Sequence, residues 1–231
     1  MKKLRTIAFD ADDTLWHNER FFHFTQQRFA ELLGDFAEPD HLDARLLAAE
    51  KRNIGHYGFG VKGFTLSMIE TAIEVTDGRV PATVIAQLLE AGRDMLDHPL
   101  ELLPHAQEAV EGVVDDHHLL LITKGDLLHQ ERKLAQSGLG DLFDGVEIVS
   151  DKQPQTYQRI FGDLPGGTQA SMMVGNSMKS DVRPAIDVGS WGVFVPHDLA
   201  WDLEHAEAPE SERYHAIADL SELSDLVAKI G

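Results

Sequence analysis

Short apolar runs, each emptying into a polar cluster, recur along this chain of 231 residues and fix its class of fold. Residues 4–9 carry Ile7-Ala8-Phe9 and end in Asp10-Ala11-Asp12-Asp13-Thr14. His118-Leu119-Leu120-Leu121-Ile122 runs into Thr123-Lys124-Gly125-Asp126, and Val146-Glu147-Ile148-Val149 into Ser150-Asp151-Lys152. Met172-Met173-Val174 gives way to Gly175-Asn176-Ser177, and Val193-Phe194-Val195 is a fifth run. Such runs read as strands buried on both faces. Helical patterns at 107–114, 127–137, 155–161 and 182–188 lie among them, the second and fourth stopped by Gly138 and Gly189. Strands alternating with helices imply an α/β fold with a parallel sheet covered on both sides.

About 100 residues between the first two strands break this rhythm. Helical patterns at 18–33, 40–53, 62–75 and 83–96 have Gly34, Gly55, Gly78 and Pro99 near their ends. The sequence therefore predicts an α-helical domain at 17–100, inserted into a core made of 1–16 and 101–231. Within the insertion, the glycine-rich interval 56–63 predicts a loop, and Phe21, Phe22, Phe24, Phe29 and Phe36 predict its core. The polar, acidic segment from His197 to Glu212 predicts a long loop before a last strand and helix in 214–230.

Composition narrows the function. A net charge of −19 opposes attraction to nucleic acid or anionic lipid. The basic start is followed by an apolar stretch that Asp10 interrupts, too short for a secretory signal, and no run approaches the roughly 20 apolar residues that span a bilayer. The chain contains no cysteine, which excludes disulfides and thiolate metal sites and fits a reducing compartment. The expectation is a cytoplasmic protein with neither nucleic acid nor membrane as partner.

In an open parallel sheet, ligands gather at the carboxyl ends of the strands, and the four polar clusters all fall there. Asp10 and Asp12, two positions apart on a chain leaving a strand, can face one pocket. Carboxylates so placed can hold a hard cation such as Mg²⁺, and one can attack phosphorus. Taken alone, an Asp-rich loop after a strand is as often a turn and helix cap. The ordered set of Asp10-x-Asp12-x-Thr14, then Thr123, then Lys152, then Gly175-Asn176-Ser177 with Asp181, each after an expected strand, outweighs that simpler reading.

With these motifs the sequence resembles the haloacid dehalogenase-like superfamily, in its aspartyl-phosphatase branch, everywhere outside the inserted helices. Phe9-Asp10-Ala11-Asp12-Asp13-Thr14-Leu15 matches the first motif, Ile122-Thr123 the second and Lys152 the third. The proline usual after that lysine is displaced by one place, to Pro154 behind Gln153. The fourth motif, normally Gly-Asp, reads Gly175-Asn176 with Asp181 following. The resemblance implies a Rossmann-like parallel-sheet core with a helical cap of the C1 type.

It implies further that Asp10 is the nucleophile, forming an aspartyl phosphate, and that Asp12 is the general acid and base, with a pKa approaching working pH. Lys152 would offset the repulsion between Asp10 and a phosphate dianion, and Thr123 would bind the phosphate with added charge from Lys124. Mg²⁺ would be held by Asp10, the Asp12 main-chain carbonyl, Asn176 and Asp181. The implied substrate is a small phosphorylated metabolite; sugar phosphates, nucleotides and phosphoglycolate-like acids all satisfy the motifs, and oligomeric state leaves no mark on them.

Asn176 departs most from the family pattern, since an amide oxygen is a weaker ligand than a carboxylate. Either it ligates through its carbonyl while Asp181 carries the charge, or the chain is a non-catalytic phosphate- or metal-binding relative. Asp12 disfavours dehalogenation, which needs no acid there, whereas a phosphomutase fits the same motifs. Phosphonate hydrolysis would need a Schiff-base lysine from the insertion, where Lys51 and Lys62 stand. His17, His23, Arg52, His56, Tyr57 and Lys62 are the insertion's candidates to face a ligand. His117-His118 beside Asp115-Asp116 suggests a metal pair, but adjacent residues entering a strand point to opposite faces.

Overall fold

The computed structural model describes residues 3–199 and 201–231. Met1 and Lys2 of the basic start, and Ala200 in the acidic segment, lie outside the described residues. Strand β1 (Thr6–Phe9) is followed by four helices, α1 (Glu19–Leu33), α2 (Pro39–Tyr57), α3 (Val61–Val75) and α4 (Ala82–Asp97). Then come α5 (Ala106–Glu111), β2 (His118–Lys124), α6 (Leu127–Ser137), β3 (Gly145–Val149), α7 (Pro154–Gly162) and β4 (Ser171–Gly175). The chain closes with α8 (Arg183–Asp187), β5 (Trp191–Phe194), β6 (Tyr214–Ala216) and α9 (Leu223–Ile230). Among the described residues no helix is long and apolar enough to cross a membrane.

All six strands are parallel, in the order β3-β2-β1-β4-β5-β6. Alternation along the strands explains why both faces are covered. Ile7 and Phe9, Leu119 and Leu121, and Met172 and Val174 point to one face, where α5 and α9 supply Ala106, Val110, Leu223 and Val227. Ala8, Leu120, Ile122 and Met173 point to the other, against Tyr157, Ile160 and Phe161 of α7 and Ala185 of α8. With each fully buried large apolar side chain contributing roughly 1.5–3 kcal/mol, the central strands β1 and β4, whose residues are all buried, anchor the sheet. The strand order reverses between β1 and β4, and the crevice beyond the carboxyl ends at such a switch point is where this architecture binds ligands.

The described chain divides into two compact units. One holds the sheet, with residues up to Glu19, Leu100–Lys124 and Gln130–Gly231; the other is helical and holds Arg20–Pro99 with Gly125–His129. His17 to Glu19 stay with the sheet because Asp13 accepts hydrogen bonds from the amides of Asn18 (2.8 Å) and Glu19 (2.9 Å). Residues 125–129 join the helical unit, where Lys62 Nζ bonds Asp126 Oδ2 at 2.7 Å. The helical unit has its own core, including Phe29, Leu33, Leu42, Leu46, Phe64, Met68 and Leu88.

Several sequence expectations change. The loop expected at 56–63 shrinks to three residues, because α2 runs on to Tyr57 and α3 starts at Val61. Gly58 (φ 74°) and Gly60 (φ 109°) alone make the sharp turn between them, and Gly55 and Gly63 are helical. Of the five phenylalanines expected in the helical core, Phe29 is fully buried and Phe21 and Phe22 pack partly, whereas Phe24 and Phe36 are exposed. The helix expected at 182–188 is present as the short α8, and a π-helical turn at Met178–Val182 precedes it. The acidic segment contains a 3-10 turn at Asp202–Glu204.

Candidate active site

Asp10 is the first residue beyond β1, and its amide donates to Val174 O of β4 (2.9 Å), so it stands on the switch point itself. Its carboxylate is buried. The Lys152 ammonium, also buried, bonds Asp10 Oδ1 and, at 2.7 Å, Asp181 Oδ1. The Thr14 hydroxyl donates to Asp10 Oδ2 (3.0 Å), stands 3.3 Å from Asn176 Oδ1 and accepts from the Asn176 amide (3.1 Å). Residues from four separate stretches, at 10–14, 152, 176 and 181, thus form one hydrogen-bonded group.

Asp181 owes its place to the turn after β4. Ser177 O accepts from the amides of Asp181 (2.9 Å) and Val182 (3.2 Å), the wide spacing of a π turn, a form frequent at functional sites. The Ser177 amide in return donates to Asp181 Oδ2 (2.9 Å), and Tyr157 of α7 pins the turn by donating to Ser180 O (2.8 Å). The carboxylate then lies against Gly175, where a Cβ would stand 2.3 Å from Oδ2.

Electrostatics in this trio follow from burial and charge number. Burial pushes the Lys152 ammonium toward losing its proton, but the adjacent Asp10 and Asp181 carboxylates outweigh that and raise its pKa above the ordinary lysine range. Burial raises Asp181 to about 7; Lys152 opposes this and Asp10 adds to it, since one ammonium cannot neutralise two carboxylates. The excess negative charge and an all-oxygen donor set suit a hard divalent cation. Among the described residues no three histidine or acidic side chains gather to hold a metal by themselves. The available set is two carboxylates, the Asn176 amide oxygen and main-chain carbonyls.

Asp12 occupies a different environment. Trp16 Nε1 donates to Oδ1 (2.7 Å), Gln130 Nε2 to Oδ2 (3.0 Å), and Lys133 Nζ lies 2.6 and 2.8 Å from the two oxygens. Burial pushes its pKa up, but Lys133, with the Gln130 and Trp16 hydrogen bonds, holds it below the usual carboxylate range. The general acid and base role that the resemblance implies asks for a pKa near working pH; the Lys133 ion pair, which the sequence does not announce, shifts Asp12 the other way. Asp13, next to it, is raised to about 6, chiefly by burial.

Thr123, at the end of β2, is buried, and its hydroxyl accepts from Gln130 Nε2 at 2.9 Å. Lys124 is committed elsewhere, with Nζ 2.6 Å from Glu204 Oε1 and 2.9 Å from Ser180 Oγ. Glu204, whose other oxygen accepts from Ser177 Oγ (2.5 Å), is lowered to about 2: burial opposes the shift, and Lys124 and these hydrogen bonds overcome it. Glu204 comes from the acidic segment and no local pattern points to it. Gln130 and Lys133 carried a faint signal, being three apart and so on one face of a helix that follows a motif strand.

The remaining candidates separate. His17 rests edge-on against His197 in the sheet unit, with ring centroids 6.0 Å apart. In the helical unit Arg52 pairs with Glu70 and Glu74, both at 2.8 Å, and Lys62 with Asp126, while His23, Lys51, His56 and Tyr57 are exposed. His117 and His118 make unrelated contacts, to Val113 O and to Asp144.

Comparison with known proteins adds the decisive observation: residues 4–189 match the family model for haloacid dehalogenase-like hydrolases. The chain belongs to this family. No curated protein matches it. A haloacid dehalogenase-like hydrolase of Xanthomonas campestris is 40% identical, with a TM-score of 0.88 over 98% of this chain and 91% of that one. YfnB of Bacillus subtilis, bound to magnesium, shares the fold at 16% identity and TM-score 0.69, covering 98% and 100% of the two chains. The L-2-haloacid dehalogenase of Xanthobacter autotrophicus does so at 18% and 0.68, covering 99% and 100%. Within the haloacid dehalogenase-like family, then, this chain is a hydrolase whose polar residues converge on the switch point of the sheet.

Proposed function

We propose that this chain is a Mg²⁺-dependent phosphatase acting on a small phosphomonoester through an aspartyl phosphate on Asp10. The observation that carries the reading is the buried Asp10–Lys152–Asp181 trio beyond the carboxyl ends of β1 and β4. A carboxylate can approach a phosphate dianion only where fixed positive charge offsets their repulsion, and Lys152 is locked beside the attacking group. In the first step an Asp10 oxygen attacks phosphorus, the bond from phosphorus to the ester oxygen breaks, and that oxygen takes a proton from Asp12. In the second, water attacks the phosphorus of the acyl phosphate, its proton passes to Asp12, and inorganic phosphate leaves with Asp10 restored. In the ionised form that Lys133 favours, Asp12 is set for the second step; the first requires a proton on Asp12 beforehand.

Asp10, Asn176 and Asp181, with the Asp12 main-chain carbonyl, would hold Mg²⁺, and the magnesium bound to the related YfnB supports this choice. Once bound, the ion neutralises and orients the phosphate. Thr123 would add a hydrogen bond to the phosphate, whereas the charge of Lys124 is already answered by Glu204. An acidic, cysteine-free chain acting on a metabolite fits the cytoplasm.

Release of nitrophenolate from p-nitrophenyl phosphate, with and without Mg²⁺, tests the reading. Turnover that needs Mg²⁺ and disappears in Asp10→Asn supports it; turnover unaffected by that substitution removes it. Chloride release from 2-chloropropionate would favour dehalogenation instead, a reaction that has no use for the anchored Asp12 carboxylate. A phosphomutase would return the phosphoryl group to a sugar phosphate rather than to water. Asn176 favours one further reading, a non-catalytic relative: turnover that appears only in Asn176→Asp would establish it, and turnover by the natural chain ends it. A screen of phosphorylated metabolites for free-phosphate release then names the substrate.

A further inference from the structure

Helix α6 belongs to none of the four motifs, yet two of its residues hold Asp12. Lys133 spends its ammonium on three acceptors, Asp12 Oδ1 (2.6 Å), Asp12 Oδ2 (2.8 Å) and Asn18 Oδ1 (3.0 Å). Gln130, almost fully buried, places Nε2 within 3.0 Å of Asp12 Oδ2, 2.9 Å of Thr123 Oγ1 and 2.6 Å of Lys124 O. The same amide leaves its Oε1 buried with no partner among the described residues. A buried acceptor left unpaired costs about 1–3 kcal/mol, and turning the amide over would set Oε1 against the Asp12 carboxylate. Gln130 therefore keeps an orientation that serves Asp12 and the end of β2 at its own expense.

We infer that Lys133, assisted by Gln130, is a positioning residue that fixes the Asp12 carboxylate beside the phosphate-binding end of β2. The two oxygens of Asp12 are held from three directions, by the Trp16 indole, the Gln130 amide and the Lys133 ammonium, so its side-chain torsions have one setting. Asp12 is joined through a single amide to Thr123, where the phosphate is expected, and a proton-transfer group gains its effect only within hydrogen-bond reach of the reacting oxygen. Neither helix residue needs to touch substrate. The inference rests on the phosphatase reading, because only there does Asp12 have protons to move.

A double-mutant cycle on p-nitrophenyl phosphate and on an alkyl phosphate, in saturating Mg²⁺, tests it. Misplacing a catalytic group by about 1 Å can cost on the order of 100-fold. Lys133→Met is expected to lower kcat at least tenfold with KM within about twofold, and Lys133→Arg to recover part of the loss. In an Asp12→Asn background the same Lys133→Met change should slow turnover no further. A Lys133→Met effect equally large with and without Asp12 overturns the inference, as does a rise in KM at constant kcat, which would make Lys133 a substrate contact. Full activity of Asp12→Asn overturns it too. If Lys133→Met does not fold, Gln130→Leu carries the same cycle with the same two outcomes. Asp10→Asn is run alongside: its retained activity would sink the aspartyl-phosphate reading, whereas its inactivity with an additive Lys133–Asp12 cycle sinks the positioning role alone.

Discussion

Asp181 fits its site only because residue 175 has no side chain: a Cβ there would meet Asp181 Oδ2 at 2.3 Å and Cγ at 2.5 Å. Gly175 also accepts from the Val195 amide, so the end of β4 is held by its neighbour β5 while Asp181 presses on it. In Gly175→Ala the side chain of Asp181, and not the strand, must move. Overpacking of this kind costs about 1–3 kcal/mol, and the displaced carboxylate loses its bond to Lys152. The expected result is a stability loss of that size by urea titration together with a fall of at least tenfold in kcat, measured on the same preparation.

Lys152 lies between two buried carboxylates and pairs with both. Removing a single member of a buried charge group costs about 3–5 kcal/mol, because the charges left behind remain buried. Lys152→Met should therefore abolish turnover and destabilise the fold, with a pH dependence of defined sign. Without the ammonium, Asp181, already raised by burial, binds its proton more tightly still in the folded than in the unfolded chain, which favours the fold at low pH and is lost as pH rises through its folded pKa. Urea titrations should show a larger deficit at pH 8 than at pH 5; a deficit independent of pH would mean that the trio is not the source.

The sheet was legible because every strand of its centre is buried on both faces, so Ile7 to Phe9, Leu119 to Ile122 and Met172 to Val174 are unbroken apolar runs. The motif residues were legible for a related reason: each follows one of those strands, and parallel strands deliver their next residues to one edge. Glu204 was hidden because it reaches Lys124 across 80 positions from an irregular segment. Lys133 left only the faint signal of its helix face, because a lysine on an amphipathic helix looks solvated until its partner Asp12, 121 positions away, is placed beside it. In the helical unit, Phe24 and Phe36 misled because aromatic content alone does not tell which face of a helix turns inward.

Glu50 of α2 sits where burial raises its carboxyl from the ordinary 4.5 to about 7. A carboxyl whose folded pKa lies above its unfolded one contributes stability that is fully present below about 4.5 and is lost as pH rises through about 7. At pH 8 the charged group is a burden on the helical unit. Glu50→Gln should raise Tm at pH 8, by about 2–4 °C per kcal/mol relieved in a chain of this size, and change it little at pH 4. A variant that melts alike with the natural chain at both values would place Glu50 in water.

Glu204 has the opposite sign. Its folded pKa is held at about 2 by Lys124 and by the hydroxyls of Ser177 and Ser180, despite burial, so its contribution is complete above about 4.5 and fades as pH falls toward 2. Glu204→Gln removes the negative charge from a largely buried pair while leaving the shape, so that Lys124 loses its carboxylate and keeps the neutral Ser180 Oγ as an acceptor. The expected loss is about 1–3 kcal/mol at pH 7, measured by urea titration, and it should shrink at pH 4 and further at pH 3 as the natural glutamate takes up a proton in the unfolded chain while the folded chain still holds it ionised. Because the Ser177 hydroxyl accepts from the Ser180 amide (2.9 Å) while donating to Glu204, the π turn that carries Asp181 loosens with it. Faster hydrogen exchange at the amides of Ser180, Asp181 and Val182 in the variant would show that loosening directly, and unchanged exchange there would confine Glu204 to holding Lys124.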